Sequence, residues 1–145
     1  MKWYLLATLL LVSCSGQQGT PESALNYYVK SRFENKSLEE TKDFLTEDFY
    51  DLLTGEENPD TERIWQLDNL KLKNYKILTT SCGAEDCRIT YYLSYYTQAD
   101  GHNEFLTETK KIAKLVKDDE KWKISDVSHI KTFHDSLNKI DIESD

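Results

Sequence analysis

The chain lacks an apolar run long enough to cross a membrane. Its longest, Trp3 to Val12, falls well short of the ~20 residues that a spanning helix needs. It also lacks an excess of basic charge. Eighteen Lys and Arg stand against 26 Asp and Glu, a formal net charge of −8. An acidic surface is repelled by phosphate backbones and by anionic headgroups, which argues against nucleic acid partners and electrostatic membrane docking. Cysteine is scarce, with three in all, and no second Cys/His pair stands near Cys82 and Cys87 to complete a structural zinc site. There is no Gly-rich phosphate loop, no nucleophile-elbow pattern and no internal repeat. No cofactor is expected, and no metal.

What is present starts with a targeting pattern. One positive charge, Lys2, precedes the apolar run, and Leu11-Val12-Ser13-Cys14 closes it. Charged n-region, short h-region and a small residue before the cut are the plan of an export signal. The Leu-Val-Ser-Cys pattern resembles the lipobox of bacterial lipoproteins. The resemblance implies cleavage before Cys14, a diacylglycerol on its thiol and an acyl chain on the new amino terminus. Two or more buried chains hold a protein on a bilayer stably. Residues 1–13 are then a cleaved signal peptide, and the membrane is a partner through lipid alone. Ser15 follows the cysteine where an Asp marks inner-membrane retention in enteric-type bacteria. This implies an outer-membrane protein facing the periplasm in a Gram-negative host.

Residues 14–20 form the lipidated cysteine and a small, polar tether. Six residues from Ser15 span only about 20 Å when extended, so the domain is expected close to the membrane surface. In an exported chain the remaining pair, Cys82 and Cys87, is expected to bridge. Gly83-Ala84-Glu85-Asp86 between them is a turn composition, which puts the disulfide across the mouth of a hairpin. A redox motif would have two intervening residues and not four.

Residues 21–135 read as one α+β domain, followed by an acidic tail over 136–145. Three Trp, nine Tyr and five Phe supply a core. Thr20-Pro21-Glu22 is a helix start. Leu25, Tyr28, Val29, Arg32 and Phe33 share a helical face, with the Arg32 head expected in water. Ser37-Leu38-Glu39-Glu40 is a capping box, Thr46-Glu47-Asp48 another cap, and Gly55 a stop. A further helical turn is expected within 61–68. Four strands then follow. Leu72 to Ser81 is the first. In the second, Cys87 to Gln98, Ile89, Tyr91, Leu93 and Tyr95 point one way and Arg88, Thr90, Tyr92, Ser94 and Tyr96 the other. Asn103 to Lys117 is the third, with a bulge expected near Ile112-Ala113. In the last, Trp122, Ile124, Asp126, Ser128 and Ile130 are expected on one face. Asp100-Gly101 and Asp118 to Lys121 are the turns.

Helices followed by an antiparallel meander imply helices packed on a four-stranded sheet. Ala24 to Tyr28, Phe44 to Tyr50 and Lys121 to Val127, in this order, resemble the helices and last strand of cystatin-like, nuclear transport factor 2-like domains of the SnoaL type. The resemblance implies a curved sheet wrapped into a cone, with a pocket between sheet and helices. That family hosts isomerases, dehydratases, transport factors and domains without activity, so fold does not assign function. No catalytic pattern of the family maps onto this chain. Asp126, if it faces the cone, is the one candidate general base, with Tyr91 and Tyr95 as hydroxyl donors. The competing reading makes Asp126 a solvated residue at the strand's exit from the core. His102 reads as a surface residue; His129 and His134, with Asp126 and Asp135, match no standard metal spacing. Leu25, Val29, Tyr91, Tyr95, Trp122 and Ile124 are the expected pocket lining.

Three functions stay open. The leading one is a non-catalytic envelope lipoprotein that binds an envelope protein or a small apolar ligand. The others are a small isomerase or dehydratase and a purely structural envelope protein.

Overall fold

The computed structural model describes residues 19–55 and 69–136. The signal, Cys14, the start of the tether, the helical turn expected within 61–68 and the tail from 137 onward lie outside the described residues. The elements are α1 (Pro21–Phe33), α2 (Leu38–Thr41), α3 (Glu47–Thr54), β1 (Leu70–Cys82), β2 (Asp86–Ala99), β3 (His102–Asp118) and β4 (Lys121–Ser136).

The helix ends follow from local chemistry. Thr20 Oγ1 accepts from the Ser23 N–H at 3.1 Å, and Pro21 opens α1. The helix stops where Asn35 turns left-handed, at φ 56°, and the Lys36 N–H reaches back to the Ser31 carbonyl. Ser37 and Glu40 then close a reciprocal capping box on α2. A 3-10 turn over Lys42–Phe44 delivers Leu45 to the sheet, where it bridges Ile124 in parallel. The Thr46 N–H donates to the Ile124 carbonyl at 2.9 Å, and Thr46 Oγ1 caps α3.

The four strands form an antiparallel meander in the order β1-β2-β3-β4. Asp100 and Gly101 both have positive φ in the β2–β3 turn, as do Asp119 and Glu120 in the β3–β4 turn. Cys82 pairs with Cys87 across the β1–β2 hairpin, with sulfurs 1.97 Å apart, a disulfide distance. One face of the sheet carries Ile89, Tyr91, Leu93, Ala113, Leu115, Trp122 and Ile124, all buried. The helices cover it with Ala24, Leu25, Tyr28, Val29, Phe44, Leu45 and Phe49. Each large aliphatic or Phe side chain among them contributes roughly 1.5–3 kcal/mol when fully buried. The architecture is therefore α+β, with helices on one side of a four-stranded sheet. Among the described residues, no helix is long and apolar enough to cross a membrane.

Two expectations about the strands need correction. The bulges that bear on the β3–β4 ladder are on β4, not near Ile112-Ala113. Lys114 pairs with Asp126 and Leu115 with Ile124, which leaves Ser125 as an extra residue. Lys110 pairs with Lys131 and Lys111 with His129, which leaves Ile130. From Thr107 to Leu115 β3 alternates without interruption, with Thr107, Thr109, Lys111, Ala113 and Leu115 all buried; its own extra residue, Glu104, lies nearer the start of the strand, where Thr97 pairs with Phe105 and Gln98 with Asn103. Ile112 and Val116 simply sit on its other face. Each extra residue on β4 reverses which side the following side chains face. Trp122 and Ile124 are inward, but Asp126 is not, and Val127 takes the inward place.

A candidate ligand pocket between the first helix and the sheet

The inner face of the sheet changes character along its length. Near the disulfide it is apolar. Toward the other end it carries Lys111, Thr109 and Thr107 on β3, facing His129, Thr132 and His134 on β4. The threonines satisfy their hydroxyls across the ladder: Thr107 Oγ1 and His134 Nδ1 lie 2.9 Å apart, and Thr109 Oγ1 and Thr132 Oγ1 3.0 Å apart. The C-terminal half of α1 runs over the border between the two regions.

A cavity of about 30 Å³ opens at this border. Val29, Phe33 and Leu93 are its apolar wall, and Tyr28, Tyr91 and Tyr95 bring three rings. Arg32 from α1 and Lys111 from β3 supply two cations. Phe33 and Tyr95, both half-buried, pack ring against ring with centroids 5.7 Å apart, whereas Tyr91 and Lys111 are buried.

The electrostatics follow from burial. Lys111 is 7% exposed, and its side chain makes no hydrogen bond or ion pair with any described residue. Desolvation, with the Arg32 charge added, lowers its pKa to about 8. The Arg32 guanidinium hydrogen-bonds the Tyr28 hydroxyl, which partly offsets the upward push of burial on that phenol. Tyr91 is pushed up by burial first and by Tyr28 second, so it stays an O–H donor at any physiological pH. Burial pushes Tyr75 up to about 12; its ring meets Tyr91 edge-on, and its hydroxyl has no hydrogen-bond partner among the described residues. Partial desolvation, then Lys111 and Arg32, lowers His129.

Of the residues expected to line a pocket, Val29, Tyr91 and Tyr95 do. Leu25, Trp122 and Ile124 are instead in the sealed core. Asp126 is not among the residues that line this cavity. Its Oδ2 sits 3.0 Å from Lys114 Nζ and accepts from the Ser128 hydroxyl at 3.1 Å, on the face away from the helices. Those partners, Lys114 foremost, hold its carboxyl below the usual range, the reverse of what a general base in an apolar pocket requires. The outward tyrosines of β2 also have partners: Tyr92 donates to Glu108 Oε1 at 2.5 Å, and Lys73 Nζ lies 5.3 Å from the Tyr96 ring. Among the described residues no three His, Cys, Asp or Glu gather as metal ligands.

Lys111 escaped the sequence reading, although the signal existed. It falls in phase with Ala113 and Leu115, the inward set of β3. Arg32 was expected to put its head in water; it is half-buried, hydrogen-bonds Tyr28 and lines the cavity.

No protein-family model matches the chain, and none of the curated proteins does. Among solved structures, the chain is similar to the solution structure of a SEC-C motif containing protein from Rhodopseudomonas palustris. The two share 10% identity and a TM-score of 0.61, over 79% of this chain and 81% of that one. At that identity the likeness is one of fold alone.

Proposed function

We propose that this protein is a membrane-anchored bacterial envelope lipoprotein whose domain binds a small ligand in the cleft between α1 and the sheet, on a scaffold of the cystatin-like, nuclear transport factor 2-like kind. The lipobox pattern ending at Cys14 supports the anchor. The helix-covered meander supports the scaffold assignment. One observation carries the binding role: Lys111 lines an aromatic cavity while buried and without a partner among the described residues. A cation drawn largely out of water without a protein partner costs stability. A site kept at that cost is one in which a ligand supplies the missing contact. The domain is on this reading a receptor held near the bilayer, in the outer membrane facing the periplasm if the host is Gram-negative.

Two measurements test the reading. Cys14→Ala should abolish metabolic palmitate labelling and move the protein to the soluble fraction; an unlabelled parent with unchanged fractionation in both forms overturns the anchor. For the binding role, the purified protein is screened by thermal shift against small molecules of several classes, both neutral and charged. At least one class should raise Tm in the parent and not in Lys111→Met. A screen in which no class raises Tm overturns it.

A further inference from the structure

We propose that the cavity is a receptor for the carboxylate of an apolar monocarboxylic acid, with the head against Lys111 and Arg32 and the apolar body lying along the packed rings of Phe33 and Tyr95. The inference rests on the binding role proposed above and names the ligand class of the same site.

Size sets the first limit. A cavity of about 30 Å³ takes roughly two waters, at 10–15 Å³ each. That is room for the two oxygens of one carboxylate and little more. A whole drug-sized ligand needs roughly 300 Å³ or more, so only a head group is enclosed. The remainder of the molecule must lie toward the half-buried Phe33 and Tyr95, whose rings offer an apolar groove side.

Charge sets the second. Both ionic side chains lining the cavity, Arg32 and Lys111, are cationic. The chain as a whole carries −8. A multiply charged anion such as phosphate meets that overall field and a large desolvation cost in a site walled by Val29, Leu93 and Tyr91. A monoanion meets both less. Tyr91 lines the cavity, and burial keeps its hydroxyl protonated, the form that can donate. A carboxylate can accept from several donors at once, and hydrogen bonds to charged groups are the stronger kind.

The test uses calorimetric titration and thermal shift on the purified protein with hexanoate, benzoate, hexanamide, hexanol and inorganic phosphate. Hexanoate and benzoate should bind, and hexanoate should exceed hexanamide by about ten-fold or more, the scale of one charge-assisted contact. Lys111→Met should remove about ten-fold or more of that affinity, while Lys114→Met, on the opposite face, should leave it unchanged. The acid-to-amide comparison needs no variant, so misfolding of Lys111→Met does not rescue the idea. Equal affinity for hexanoate and hexanamide overturns it, as does hexanoate affinity unchanged in a folded Lys111→Met. Binding of phosphate or of the neutral compounds alone also overturns it, while leaving the binding role itself standing. Silence from every class, in this series and in the wider screen, overturns both.

Discussion

Lys114 and Asp126 face each other across β3 and β4, Nζ 3.0 Å from Oδ2, on the side of the sheet that the helices do not cover. The pair is partly exposed, with relative side-chain exposures of 51% and 38%, and pairs of this kind contribute at most about 1 kcal/mol. Asp126→Asn should therefore fold normally and lose no more than about 1 kcal/mol in urea denaturation. It should leave ligand binding at the pocket unchanged. A loss of several kcal/mol, or loss of ligand-induced thermal shift, would place Asp126 in the core after all.

Lys111 makes stability depend on alkaline pH. Its folded pKa, about 8, lies below the ordinary 10.5. Between these values the unfolded chain holds a proton that the native state has released, so stability rises with pH. The rise begins near pH 8 and amounts to about 3 kcal/mol at most. Buried tyrosines oppose it. Tyr75, raised to about 12 from 10.0, and Tyr28 and Tyr91, raised by burial, hold protons that the unfolded chain loses, so stability falls again above pH 10. Denaturation at pH 7, 8, 9 and 10 should show the rise in the parent and its disappearance in Lys111→Met. The variant should also be the more stable of the two at pH 7. The same pH slope in both would refute the assignment.

The Cys82–Cys87 bridge closes a short ring, their sequence separation being 5. The loop-entropy model gives about 2 kcal/mol for such a ring. Reduction should lower the denaturation midpoint while leaving a cooperative transition and the far-UV spectrum of the folded domain. Mass spectrometry before reduction should find no alkylatable thiol at either cysteine. Two free thiols, or collapse of the fold on reduction, contradicts this.

Glu120 sits in the β3–β4 turn with φ 65°, next to Asp119 at φ 46°. The left-handed region costs a non-glycine residue about 1–2 kcal/mol, part of which glycine's own entropy gives back. The ion pair lost, to Lys117 at 3.0 Å, has a Glu120 side chain 89% exposed and contributes little. Glu120→Gly should thus stabilise the domain by about 0.5–1 kcal/mol, read as a higher midpoint at unchanged slope. A destabilised variant would show that the exposed ion pair outweighs the backbone term.

By itself the amino-acid sequence determined the parts of this protein whose causes are local. The Thr20 and Thr46 caps and the Ser37/Glu40 box each use side chains within three residues of the backbone groups they satisfy. The alternation of β2 is equally legible, because Ile89, Tyr91, Leu93 and Tyr95 repeat at the period of two that a pleated strand imposes. Cys82 and Cys87 flank a turn composition, so their pairing needed only the hairpin. Tertiary structure alone decided the site. The extra residues Ser125 and Ile130 can be recognised only against the partner strand, since a bulge is a mismatch between two strands and not a property of one. That single-residue offset carried Asp126 out of the core and set His129 beside Lys111. Whether Lys111 and Arg32 reach water depended in turn on where α1 crosses the sheet, a matter of packing between segments some 80 residues apart in sequence. Local hydrogen bonds set the elements; the register between distant strands chose which charged side chains were left inside.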